Sequence, residues 1–202
     1  MNGILKNSFS TSFFLLLLPL LLLCTNPSFA QSIKVKVTIS NQYLEKGELP
    51  YFPNQVLSFS DFQGTPDLKS PAAAVTSSGI KLQMSSIIYK NQTEVEIKLS
   101  TYFDKKDSWF KNDAKTASLL LHEQGHFWLT VIQTCALFDD LNSYSYTSNW
   151  EQEIKQIYNN HLDELEKKQD LYDQETFHGT NDFQEHYNLE IKKSIESLSC
   201  FL

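Results

Sequence analysis

Midway along the chain the apolar residues change their period. Ile33, Val35, Val37 and Ile39 alternate with polar neighbours, and so do Val95, Ile97 and Leu99, which is the pattern of half-buried strands. Residues 79–90 and 93–103, joined through Asn91-Gln92, read as the two arms of a hairpin, preceded by a structured loop over 59–71 that carries Gly and Pro breakers. From 113 onward the spacing becomes helical. Residues 113–141 hold no breaker except Gly125; Trp150, Ile154, Ile157, Leu162, Leu165 and Tyr172 keep to one helical face. Phe183, Tyr187, Ile191, Ile195 and Leu198 repeat that pattern after Gly179-Thr180, where one helix can end and another be capped. Strands first and helices later predict an α+β fold: N-terminal antiparallel strands, then a helical half.

Residues 1–30 carry the marks of a secretory signal: Lys6 near the start, an apolar run over 13–23 interrupted by Pro19, and Ser28-Phe29-Ala30 at the cleavage position. The run falls short of the roughly 20 apolar residues that span a bilayer. Leu23 stands before Cys24 where a lipid-anchor signal needs a small residue. The expectation is a secreted or periplasmic protein without a stable membrane anchor, cut near Ala30 to leave one domain over 31–202. That domain holds 16 lysines, no arginine and 24 acidic residues, a net charge of −8. Such acidity argues against nucleic acid or an anionic membrane as partner. Cys135 and Cys200 remain in a compartment that permits disulfides, and spacing leaves their pairing open.

The densest chemistry lies in Leu119-Leu-Leu-His-Glu-Gln-Gly-His-Phe-Trp128. At about 100° per residue His126 falls only about 40° around a helix from His122, with Glu123 about 60° further. Leu120, Leu121, Phe127, Trp128, Val131, Ile132 and Cys135 take the opposite side, so the histidine face is left for a cleft or for water. Two imidazoles one turn apart can grip Zn²⁺, which lowers the pKa of a bound water to about 7, and a neighbouring carboxylate can take that water's proton. His122 and His126 are therefore the candidate ligands and Glu123 the candidate general base. The bland alternative is a solvated helix face.

A catalytic zinc site needs a third protein ligand and one open position. His161 borders the apolar stripe of its helix and suits a half-buried packing role; His186, between Glu185 and Tyr187, suits a solvated one. His178 lies in Tyr172-Asp-Gln-Glu-Thr-Phe-His-Gly-Thr180, where acids, a histidine and a glycine crowd a helix end, and is the favoured third ligand. Glu175 is its rival and Asp173 comes after it. Tyr172 and Tyr187 could donate to an oxyanion, although a core ring with its hydroxyl at the surface is the commoner fate.

With these pieces in place the chain resembles a family of secreted bacterial proteins, grouped as a domain of unknown function and described as zinc-dependent proteases. The matching segments are Ser60-Asp-Phe-Gln-Gly-x-Pro66, Thr76-Ser-Ser-Gly-Ile80, Ser108-Trp109, Leu120-Leu-His-Glu-Gln-Gly-His-Phe127, Tyr172-Asp-x-Glu-Thr-x-His-Gly179 and Gln184-x-x-Tyr187. They run in order across most of the mature chain. The resemblance implies a zincin-like catalytic domain with zinc held by His122, His126 and His178. Phe59 departs from the Trp usual there, and Trp128 stands where an acidic residue is expected, which removes a group that could orient a ligand.

The expected function is thus a zinc-dependent hydrolase acting on a peptide or protein, cell-wall peptides included, with water activated by Glu123. The alternative is a non-enzymatic envelope protein whose zinc is structural, or whose degenerate site serves partner binding. The two differ in whether a fourth protein ligand, such as Glu175, closes the site.

Overall fold

A computed structural model describes residues 32–179 and 183–201. The proposed signal segment lies outside the described residues, and among the described ones no helix is long and apolar enough to cross a membrane. Six strands precede three helices: β1 (Ser32–Ile39), β2 (Glu48–Pro50), β3 (Ala74–Val75), β4 (Ser78–Tyr89), β5 (Gln92–Asp104), β6 (Trp109–Phe110), α1 (Ala117–Ser143), α2 (Trp150–Thr176) and α3 (Phe183–Glu196). The architecture is α+β, as the change of period predicts.

The hairpin forms where expected, β4 pairing antiparallel with β5 from Ser78↔Phe103 to Tyr89↔Gln92. One expectation is corrected. The strands are not all antiparallel, because β1 runs parallel to β5 from Ser32↔Gln92 to Ile39↔Leu99. Alternation reports which side of a strand is buried and is blind to its direction. The long connection through β2, β3 and β4 gives the chain length enough to return and lay β5 alongside β1 in the same sense.

Inward residues of the sheet, Val37, Ile80, Val95, Ile97 and Leu99, meet Leu129, Leu137 and Leu141 of α1, with Ile154, Leu165 and Tyr172 of α2 and Ile191 of α3 completing the core. A second cluster, Tyr51, Leu57, Phe103, Phe127 and Val131, fills the other flank of α1. The Thr116 hydroxyl caps α1 by accepting the Leu119 N–H. Because α1 touches the sheet on one side and both other helices elsewhere, it is buried nearly all round. The simple division into an apolar back and a wet histidine face does not hold: His122 and Glu123 are buried, whereas Leu121 is 43% exposed. Cys135 and Cys200 form a disulfide across a Cα–Cα distance of 5.6 Å, tying the C-terminus to α1.

The stripe expected on α2 is the packed one, and on α3 Tyr187, Ile191, Ile195 and Leu198 pack as expected, whereas Phe183 does not and two amides join the buried face. Gln184, Asn188 and Ile191 face inward while Phe183 is exposed. Two amides occupy core positions because partners wait for them beneath.

Candidate metal centre

The glycine inside α1 explains how the site is assembled. Tyr172 of α2 lies so close that a Cβ on Gly125 would meet its hydroxyl at 2.1 Å and its Cζ at 2.6 Å. Only a bare Cα lets α2 approach this far. The Tyr172 ring, fully buried, stacks on His122 at 4.8 Å between centroids, and the next residue, Asp173, is carried over the two histidines.

Asp173 Oδ1 then stands 3.0 Å from Nε2 of both His122 and His126, and those two nitrogens are 3.1 Å apart. These three residues are the group among the described residues able to offer ligand atoms to one ion. His178 is brought to the rim: its Nδ1 is 3.3 Å from the same Asp173 oxygen and its side chain is largely exposed. Glu175 is exposed on the outer side of α2 and pairs with the Tyr187 hydroxyl.

The outer nitrogens decide the tautomers. Gln169 Nε2 donates to the carbonyl of His126 at 3.0 Å, and a carbonyl can only accept, so Gln169 must turn its Oε1 to His126 Nδ1. That nitrogen therefore carries the hydrogen. Gln184 does the same for His122: its amide nitrogen points to the Tyr172 hydroxyl and Asn188, and its oxygen accepts from Nδ1 at 2.9 Å. Both histidines accordingly aim an Nε2 lone pair at the Asp173 carboxylate, so three acceptors converge with no hydrogen between them. Only a cation, a proton or a metal ion, satisfies such a set. Two imidazoles and a carboxylate are a donor set that Zn²⁺ accepts, and the residues present fit that ion.

Charge follows geometry. Burial works to raise the Asp173 pKa, but once a proton enters the cluster the imidazoles of His122 and His126 become charged donors to it, and that pairing holds its pKa far below the carboxylate range. Burial works to lower that of His126, and Asp173 and Glu123 outweigh it to raise the value. Burial pushes Glu123 up, only partly offset by His126, Thr76 and His122. Glu123 is 3% exposed, and its Oε2 has no hydrogen-bond partner. It lines a cleft of about 910 Å³ shared with His122, His126, Asp173 and His178. A buried carboxylate oxygen without a donor, on a residue that lines a cleft, is a candidate to take up a proton there.

The end of α2 is bent to fit. Phe177 and His178 hold φ of 46° and 54°, left-handed values that cost non-glycine residues about 1 kcal/mol or more. The turn lays Gly179 against His122, where a Cβ would come within 2.9 Å of the histidine's own. Thr176 donates to the Tyr172 carbonyl and lies 3.4 Å from His122 Nδ1.

Several expected roles change. The Tyr172 hydroxyl bonds Asn188 at 3.0 Å and the His122 carbonyl at 3.3 Å deep in the core, and Tyr187 is engaged by Glu175, so neither is free to serve an oxyanion. His161 is buried rather than half-buried, with Nδ1 on Gln133 and Nε2 on Asp140. His186 is exposed, as expected. Sequence reasoning passed over Gln169 and quoted Gln184 only within a matching segment, without a role; for Gln169 the available signal was helical phase, since it precedes Asp173 by one turn. The groups that orient the two imidazoles come from α2, through Gln169, and from α3, through Gln184. Neither a protein-family model, nor a curated protein, nor a solved structure matches the chain, and what the site can do is therefore carried by its geometry.

Proposed function

We propose that the chain is a secreted or periplasmic zinc-dependent hydrolase, a peptidase built on a zincin-like α+β domain. One observation carries the reading: three inward lone pairs, on His122 Nε2, His126 Nε2 and Asp173 Oδ1, lie about one hydrogen-bond length apart beside the unpartnered Glu123 carboxylate. His122, His126 and Asp173 would hold the ion, with His178 at the rim next to them. When bound, Zn²⁺ acts as a Lewis acid toward a carbonyl and lowers the pKa of water to about 7.

The chain's own residues do the rest. Glu123 takes the proton of an attacking water on its free Oε2 and keeps it for the leaving amine, a task suited to a carboxylate whose pKa burial has raised. Gln169 and Gln184 hold the imidazoles in one tautomer, so no rotation is needed as charge develops. The cleft wall of Leu119, Leu162 and Leu165 limits water around the reacting groups. The Cys135–Cys200 disulfide agrees with an oxidising compartment. A closed structural site is less well supported, because Glu175 points away and the three donors open on the cleft.

The test joins metal content to turnover. Glu123→Gln should keep about one zinc per chain and lose peptide hydrolysis by roughly 10²–10⁴-fold. Full activity in that variant, or undiminished zinc affinity in His126→Ala, would overturn the proposal.

A further inference from the structure

The cleft is one-sided in charge. Glu166 and Asp170 line it from α2, no lysine does, and neither carboxylate has an ion-pair partner among the described residues. With Asp173 they step by four and three, so all three acids share one helical face. At 1.5 Å per residue, Asp170 stands about 4.5 Å and Glu166 about 10.5 Å along the helix from the metal-binding carboxylate. The stretch before β4 also lines the cleft and includes the small side chains Ala72, Ala73 and Ala74, which take up little of the space a chain lying along α2 would need. An extended peptide advances about 3.3 Å per residue, so Asp170 and Glu166 fall beside positions one to three residues from a carbonyl held over the histidines. The unpartnered, buried Glu123 oxygen marks where that carbonyl's water belongs.

We infer that the preferred substrate is a peptide with Lys or Arg within about three residues of the cut bond, its cation held between Glu166 and Asp170. The inference rests on the peptidase reading of the same site. A basic side chain is long enough to reach both carboxylates from an extended backbone, whereas an acidic one would meet repulsion from α2. Glu166 and Asp170 are exposed at the cleft mouth. Each contact is therefore a screened one, worth a factor of about two to five, and the pair together roughly tenfold.

The experiment uses zinc-loaded protein and a set of alanine-rich decapeptides in which a single Lys, Gln or Glu is moved through every position. Expected is a Lys-over-Gln preference in kcat/KM of roughly tenfold when the residue lies within three positions of the cut. It should fall to about unity in Glu166→Gln/Asp170→Asn and turn toward Glu in Glu166→Lys/Asp170→Lys. The zinc-loaded Glu123→Gln protein supplies a readout without turnover: its affinity for the same peptides should show the same order and weaken with salt. Cleavage with a Lys/Gln ratio unaffected by the neutralising pair overturns the inference and leaves the peptidase reading standing. A cation preference in binding with no cleavage of any peptide upholds the subsite and sinks the peptidase reading. Neither binding nor cleavage overturns both.

Discussion

Replacing Gly125 by alanine pits a small local gain against a tertiary overlap. In an exposed helix interior Gly→Ala contributes about 1 kcal/mol through helix propensity. At this position the new methyl would lie 2.1 Å from the Tyr172 hydroxyl and 2.6 Å from Cζ, so the ring must retreat by more than 1 Å to restore van der Waals contact near 3.5 Å. It has nowhere to go, being fully buried between His122 and Tyr187 with its hydroxyl bonded to Asn188. Overpacking of this kind costs about 1–3 kcal/mol and sometimes more. Shifting α2 would also lengthen hydrogen bonds to Gln184 and Asn188, each worth about 1 kcal/mol. The expected net loss is about 2 kcal/mol, read from urea unfolding followed by tryptophan fluorescence. Because Asp173 moves with Tyr172, zinc affinity should fall by at least tenfold in the same variant. Tyr172→Phe removes the nearest overlapping atom, so the double variant should lose less than the sum of the singles. A Gly125→Ala protein stabilised by the full propensity gain, with zinc affinity intact, would refute the idea that α2 closes on α1 through this glycine.

Gln169→Ala and Gln184→Ala should each lower zinc affinity by roughly 10–100-fold in competition with a chelator, by freeing the imidazole tautomers. Cys135→Ser/Cys200→Ser opens a loop with a sequence separation of 65 residues, which the chain-entropy account values at about 4 kcal/mol, so the midpoint of unfolding should drop while the metal donors stay in place. Asp61 ties the loop before β3 to Lys105 at 3.0 Å and to Ser58; burial acts to raise its pKa, and those partners more than offset it to lower it. Its contribution is therefore fully present above the unfolded value near 4 and lost as pH falls through the depressed folded value. The stability gap between the native chain and Asp61→Asn, about 1 kcal/mol at neutral pH, should vanish under stronger acid, and a gap that instead opened with acid would contradict the sign.

The elements were legible because burial leaves a periodic trace. The hairpin of β4 and β5 and the stripe from Trp150 to Tyr172 follow directly from spacing. Direction and partnership leave none. The parallel setting of β1 depends on where a long connection returns, and the inward turn of Gln184 and Asn188 depends on what waits beneath α3. At the site, the phase of His122 and His126 pointed to paired ligands, and the structure brings both nitrogens together. The third donor was harder to rank. His178 and Asp173 sit five residues apart, and which one overlies the histidines is decided by how α2 packs on Gly125 and by the left-handed turn at Phe177 and His178. Gly125 itself read as a breaker in a helix, whereas it is where the Tyr172 ring of α2 lies too close to α1 for any side chain.

That close approach leaves a polar cluster which the fold tolerates and which a cation would complete on the proposed reading, and one substitution separates the two effects. In Asp173→Asn the amide nitrogen brings two hydrogens to a place 3.0 Å from both Nε2 atoms, so each lone pair gains a donor without any ion. The metal-free variant should therefore be at least as stable as the metal-free native chain, although a charge has been removed. Its response to zinc should be nearly gone, since a neutral amide is a poor ligand for that ion. For the native chain, zinc at 100 to 1,000 times its dissociation constant adds about 2.7–4.1 kcal/mol by mass action. In a domain of this length that is a rise of roughly 5–15 °C in Tm. Thermal scans of both proteins, with chelator and with zinc, make the comparison. A large zinc-induced rise in the native chain and almost none in Asp173→Asn is the expected pair. Equal rises in both would move the ion away from Asp173, and a strongly destabilised metal-free variant would mean that the three acceptors were not short of hydrogens in the first place.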